Sequence, residues 1–176
     1  ITVSNLAFEG ANQFGAFAKD GDGITLQQCD FAMMGNKSVF LFNVGSVLLD
    51  GVTSNFALSN GIQITSTYKA NVTIRNSTIT NSGTLSGMGS FWTDSDYCGL
   101  VVNVGNQVLI ENNVIRRSGY CGIKFQGNDI LIQKNVVDEY DFNLDDGGGI
   151  YTFIDGTDAA PTRVFTNRVI RNNIVS

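Results

Sequence analysis

Between Asp138 and Phe153 the chain reads DEYDFNLDDGGGIYTF, which sets acidic residues, three consecutive glycines and an aromatic strand side by side. Neighbouring carboxyls can act as a general acid and a general base. Glycines let the backbone turn sharply and let a ligand come close. A second acidic and aromatic stretch, SGTLSGMGSFWTDSDY, runs from Ser82 to Tyr97 and carries Trp92, Asp94, Asp96 and Tyr97. Between the two lie Arg116, Arg117, Tyr120 and Lys124. The chain contains no histidine. Within it, Ser-His-Asp and Cys-His catalysis in their usual forms are excluded, as is the commonest zinc ligand. Carboxylates, lysine, arginine and tyrosine remain for any chemistry.

These residues need a scaffold, and the composition indicates its class. The 176 residues suffice for one domain with a core, and the hydrophobic content of 43% excludes a disordered chain. Twenty glycines, one proline and many Asn, Val, Ile and Thr favour strands broken by turns, hence an all-β fold. The formal charge of -5, with 11 Lys and Arg and no basic run, argues against nucleic acid as a partner. No apolar run approaches the ~18 residues of a membrane span. The chain opens on ITVSNLAF and closes on VIRNNIVS, neither of which looks like a cap. The expectation is a segment of a longer protein, with further rungs or domains in the parent chain.

One pattern, aliphatic residues followed by Asn-rich polar positions, recurs at Ile1, Ile24, Val47, Val72, Val108, Ile130 and Arg168, at intervals of 23, 23, 25, 36, 22 and 38. The clearest copies are VTIRNSTI, VLIENNVI and ILIQKNVV. A second short strand recurs as GAFA, SVFL, GIQI, GLVV, GIKF and GIYT, and turns such as NVGS and QGND make a third edge. A fixed period of this size predicts a solenoid whose units bury their faces only by stacking. Two strands and two turns in so few residues predict one rung of a parallel β-helix, about seven rungs in all, forming a single domain over residues 1–176.

The chain resembles the right-handed parallel β-helix superfamily, which is similar in architecture across pectate lyases, polygalacturonases, tailspikes and adhesins. The handedness is implied by that resemblance, and the resemblance covers the whole chain. The DDGGGIYT block resembles a segment of bacterial secreted β-helix proteins associated with polysaccharide breakdown. It implies Asp146 as the residue nearest the chemistry, and a secreted, periplasmic or cell-surface location. The polygalacturonase pattern, which includes a histidine, is not met.

Rungs ~4.8 Å apart put equivalent residues in columns. Ala16, Val39, Ile62, Leu100, Ile123 and Ile150 form an inward one, and Phe17, Phe40, Gln63, Val101, Lys124 and Tyr151 an outward one. Asn113, Asn135 and Asn173 predict an amide ladder. Cys98 and Cys121, one rung apart, suit stacked thiols better than a disulfide, which the spacing also permits. Cys29 reads as core.

The long intervals predict insertions near 82–97, 138–146 and 154–166. The first two leave at one corner and would wall a groove floored by Lys124. Hydrolysis of a glycosidic bond would pair Asp146 with Asp96 or Asp94, Asp145 standing beside them and Lys124 lowering one pKa. Trp92, Asp94, Arg117, Tyr120, Glu139 and Tyr151 would hold a polysaccharide or oligosaccharide. In the alternative, β-elimination on a uronic-acid polymer, Lys124 or Tyr120 is the base and Arg117 or a cation neutralises the substrate carboxylate. A third reading is a solenoid that binds glycan, or only spaces domains, without chemistry. No dedicated metal site or cofactor is expected, although Asp94, Asp96, Asp145 and Asp146 offer oxygen ligands for calcium.

Overall fold

Asparagine tolerates positive φ because its amide bonds the local backbone, and this chain turns where such residues recur. The computed structural model describes residues 1–66, 71–88, 96–152 and 165–176. Asn5, Gln28, Gly51, Asn76, Asn112, Lys134 and Asn172 all have φ between 50° and 67° and occupy one corner of successive rungs. The repeat VTIRNSTI is therefore two strands, Asn71–Arg75 and Thr78–Ser82, hinged at Asn76. Each rung has three strands where the sequence pattern suggests two. At the corner Arg75 is half-buried and Asn76 exposed, and burial resumes at Ser77, so one aliphatic–polar pattern spans two strands.

Three parallel faces result. Face I stacks Thr2–Ser4, Ile24–Gln27, Ser46–Asp50, Asn71–Arg75, residues 108–111 and 130–133, and Arg168–Arg171. Face II, of seven strands, runs from Ala7–Glu9 to Ile174–Val175. Face III stacks Phe14–Lys19, Lys37–Phe42, Ile62–Thr65, residues 100–103 and 123–126, and Ile150–Tyr151. Strands Leu100–Glu111 and Ile123–Gln133 run through from face III to face I. Among the described residues this makes six complete turns and two strands of a seventh, against the expected seven rungs. No helix among them is long and apolar enough to cross a membrane.

The register links Ala16, Val39, Ile62, Leu100, Ile123 and Ile150 in one column and Phe17, Phe40, Gln63, Val101, Lys124 and Tyr151 in the next, as the spacing predicts. The inward column belongs to one continuous core with the face I pairs Val47 and Leu49, Val72 and Ile74, and Val108 and Ile110. At the corner between faces II and III, a Cβ on Gly61, Gly99, Gly122 or Gly149 would collide with Ile79, Ile115, Val137 or Val175 respectively. The β-branched residues of face II fill that corner, which is why the third strand so often begins on glycine.

The amide ladder is present. Asn135 Oδ1 accepts from the backbone N–H and the side-chain amide of Asn113, each at 3.0 Å, and its own amide donates to Ile110 O and Asn173 Oδ1 at 3.0 and 2.9 Å. The column continues to Ser77, whose N–H donates to Asn113 Oδ1 at 3.0 Å. Asn135 is buried, so removing its amide strands polar groups without water. Asn135→Ala is expected to lower the unfolding free energy by about 2–3 kcal/mol, read by urea denaturation. A loss below about 0.5 kcal/mol would show that the ladder is dispensable.

Candidate functional site

Two loops leave the same corner of face III, as their positions in the repeat require. Residues 83–99 follow the strand Thr78–Ser82, and residues 139–149 follow Val136–Asp138. The later loop is pinned to the earlier corner: Asn143 and Leu144 donate to Gly119 O at 2.7 and 3.1 Å, and the Asn143 amide donates to Gly83 O. Asp141 N–H donates to Tyr120 O at 3.0 Å. Trp92 and Asp94 lie outside the described residues, as does most of the insertion near 154–166.

Among the described residues the expected floor of the groove is covered rather than open. Tyr97, Cys98, Val101, Tyr120 and Cys121 make a second apolar cluster, with Leu144 and Tyr151 packed against it. This layer lies over the outward side of face III, so Val101 is 0% and Lys124 1% exposed. Lys124 Nζ sits 5.4 Å from the Tyr120 ring and 5.5 Å from the Tyr151 ring, a cation between two π faces. It is a buried support of the tyrosines rather than the floor of a groove. Cys98 and Cys121 are buried free thiols in hydrogen-bond contact, and Cys29 is a buried free thiol in the core. Burial, with the bond to Cys121, pushes the Cys98 thiol up. The bond from Cys98 holds Cys121 down, helped by Gly148 and Lys124.

Asp96 is directed elsewhere. Its Oδ1 accepts from Lys37 Nζ and Ser59 Oγ, both at 3.1 Å, and the residue is 3% exposed. That buried ion pair fastens the end of the first loop to the second and third rungs. Arg117 and Glu139 form an exposed ion pair at 3.0 Å, with the Arg117 guanidinium also donating to Asn81 and lying 5.1 Å from the Phe142 ring. Tyr140 packs against the main core.

The structure does gather a group around Asp146. Tyr120 donates its hydroxyl to Asp146 Oδ1 at 2.7 Å, and Tyr151 stands 6.2 Å from Tyr120 between ring centroids. Burial and the bond to Asp146 push the Tyr120 hydroxyl far above its ordinary value, so it stays protonated. Asp145 and Asp146 are exposed. Beneath them Asp141 is half-buried, and its Oδ1 is shut from solvent with no hydrogen-bond partner. Burial raises its carboxyl above the ordinary range, and the fields of Asp146 and Asp145 raise it further. Sequence reasoning passed over Asp141 because the DD pair beside the glycines drew the attention. Its position in the same loop was the available signal.

Gly147 is required by this packing, since a Cβ there would meet Asp141 Oδ1 and the Tyr120 ring. Gly149 faces Val175 and Tyr140 in the same way, while Gly148 has room. The glycine run thus makes space for neighbours as well as for a turn. Among the described residues no group of three or more Asp, Glu, Cys or His could hold a metal ion. The calcium expectation falls in part on Asp94, outside them.

The raised Asp141 carboxyl has a pH consequence. The folded state favours the protonated form, so stability is fully present below the unfolded value of ~3.9 and is lost as pH rises through the higher folded value. Asp141→Asn is expected to stabilise the fold relative to the parent at pH 7 and to lose that advantage at pH 3.5. Urea midpoints of the two proteins at both pH values check this, and an equal difference at both would contradict it.

Residues 1–96 match the family model described as right handed beta helix region. The match covers more than half of the 176 residues. The chain belongs to the right-handed β-helix family. Beyond the match the β-helix continues through the parallel pairing of Leu100–Glu111 with Ile123–Gln133, with one register shift between Asn103 and Asn106, and onward to Arg168–Arg171. Membership gives a carbohydrate-active or structural solenoid as the coarse class of this β-helix. No curated protein and no solved structure matches the chain.

Proposed function

We propose that this β-helix is carbohydrate-active and hydrolyses glycosidic bonds in a polysaccharide or oligosaccharide, with Asp146 and Asp141 as its two carboxyls. The observation that carries the reading is the contrast within that pair. Asp141 is held toward its protonated form by burial and by its acidic neighbours, while Asp146 is exposed and oriented by the Tyr120 hydroxyl. Glycoside hydrolysis needs one carboxylic acid to protonate the leaving oxygen and one carboxylate to activate water or attack the sugar. Asp145 adds to the field that raises the Asp141 carboxyl above its ordinary range. Tyr120 positions Asp146, and Lys124 supports the Tyr120 and Tyr151 rings. Asp141 takes the place that the sequence assigned to Asp96 or Asp94. A secreted or cell-surface setting goes with a polymeric substrate.

Elimination has less support. Of its two candidate bases, Tyr120 is held protonated and Lys124 is buried beneath tyrosine rings. Incubation with neutral and uronic-acid polysaccharides separates the readings. New reducing ends without the ultraviolet absorbance of an unsaturated uronate are expected for acid–base hydrolysis. An unsaturated product would replace hydrolysis by elimination, and binding without any cleavage would leave a non-catalytic solenoid.

A further inference from the structure

Among the described residues, the tyrosine and cysteine layer covers the last three members of the outward column of face III. Its first two, Phe17 and Phe40, stand in an aromatic group on the opening rungs. Ring centroids are 5.4 Å apart for Phe14 and Phe17, 5.4 Å for Phe14 and Phe40, 5.6 Å for Phe17 and Phe40 and 6.3 Å for Phe40 and Phe42. Phe17 is 54% exposed. A depression of about 270 Å³ is lined by Phe17, Phe40, Phe42 and Lys19, whose ammonium lies 5.9 Å from the Phe42 ring. These rings add little to the core, which Ala16, Ala18, Val39 and Leu41 already fill from the inward side of the same strands. Burial of a phenylalanine is favourable, so the exposed Phe17 ring beside three half-buried ones makes an apolar surface suited to a ligand.

We infer that Phe14, Phe17, Phe40 and Phe42 form a stacking platform for the pyranose rings of a glycan that lies along face III and reaches Asp146. The inference rests on the carbohydrate reading of the Asp146 site, though not on which reaction occurs there. Three features favour a glycan. The next member of the column, Gln63, presents an amide held by Asn60 at 2.8 Å and donating to Thr65 at 3.3 Å. Apolar faces followed by amide and hydroxyl groups suit a polymer whose units present C–H faces rimmed by hydroxyls. The platform and the Asp146 loop share one face, about four rungs or ~19 Å apart, a span for several sugar units. The patch is too small for a second copy of the chain: two rungs by a six-residue strand give roughly 200 Å², against about 800 Å² per partner in a stable interface.

The test is affinity electrophoresis of the whole chain in gels cast with a soluble β-glucan, a xylan, a galactomannan or a polygalacturonate. The parent should be retarded by at least one of them, and Phe17→Ala/Phe40→Ala should raise the dissociation constant about tenfold or more. Phe17→Trp should keep the retardation and Phe17→Leu should weaken it, which separates ring stacking from loss of fold. Loss of binding in the phenylalanine variants together with undiminished turnover by Asp146→Asn would retain the platform and discard the proposed hydrolytic pair. No retardation of the parent in any gel, or equal retardation of the double variant, would overturn the platform. So would sedimentation showing a parent dimer that the double variant abolishes, since the rings would then serve self-association.

Discussion

Asp146→Asn should lower turnover of the cleaved glycan by a hundredfold or more while leaving the urea midpoint near that of the parent. The amide oxygen still accepts the Tyr120 hydroxyl bond, so the 2.7 Å contact and the loop around it have no reason to move. The residue is exposed, where substitutions usually change stability by less than about 0.5 kcal/mol. What disappears is the ionisable carboxyl, and removing a positioned acid or base typically costs about 10²–10⁴ in rate. Tyr120→Phe keeps the carboxylate and releases it from its anchor, so a smaller loss is expected. The check is initial rates of reducing-end formation on the polymer identified by product analysis. A rate for Asp146→Asn within a fewfold of the parent would remove Asp146 from the chemistry.

The fold was legible because its information is periodic. Val47, Val72, Val108 and Ile130 recur at rung spacing and lie in register on face I, and the alignment of GLVV, GIKF and GIYT placed Leu100, Ile123 and Ile150 in one column. The corner at Asn76 lies inside the repeat VTIRNSTI, where a positive-φ asparagine divides one aliphatic–polar pattern into two strands. The site was only partly legible, since loops carry no period. The sequence located the DDGGG stretch and the common corner, but the layer that buries Val101 and Lys124 depends on the tyrosines folding back over face III. The position of Asp141 depends on how residues 139–149 fold back. Asp141 is brought under the loop by its N–H bond to Tyr120 O and by Asn143 reaching Gly83, neither of which leaves a mark in the spacing.

Asp96 tests that distinction between spacing and structure. Its place in the first loop suits a carboxylate facing Asp146, yet its Oδ1 is bound to Lys37 and Ser59 in a buried pocket. Asp96→Ala would leave the Lys37 ammonium, itself 7% exposed, with neutral partners such as Asn36 Oδ1 at 3.1 Å and Ser59 Oγ at 3.5 Å. Breaking one side of a buried ion pair costs about 3–5 kcal/mol, because the remaining charge has lost its water as well as its partner. Replacing both sides by apolar groups often costs little, so adding Lys37→Met to Asp96→Ala is expected to return most of the lost stability. Activity measured well below the unfolding midpoint should follow the same course, falling in the single variant and recovering in the double one. A catalytic Asp96 would behave differently: the double variant would refold well and remain inactive. A single variant that loses less than about 1 kcal/mol would mean that the Lys37 pair does not hold the loop.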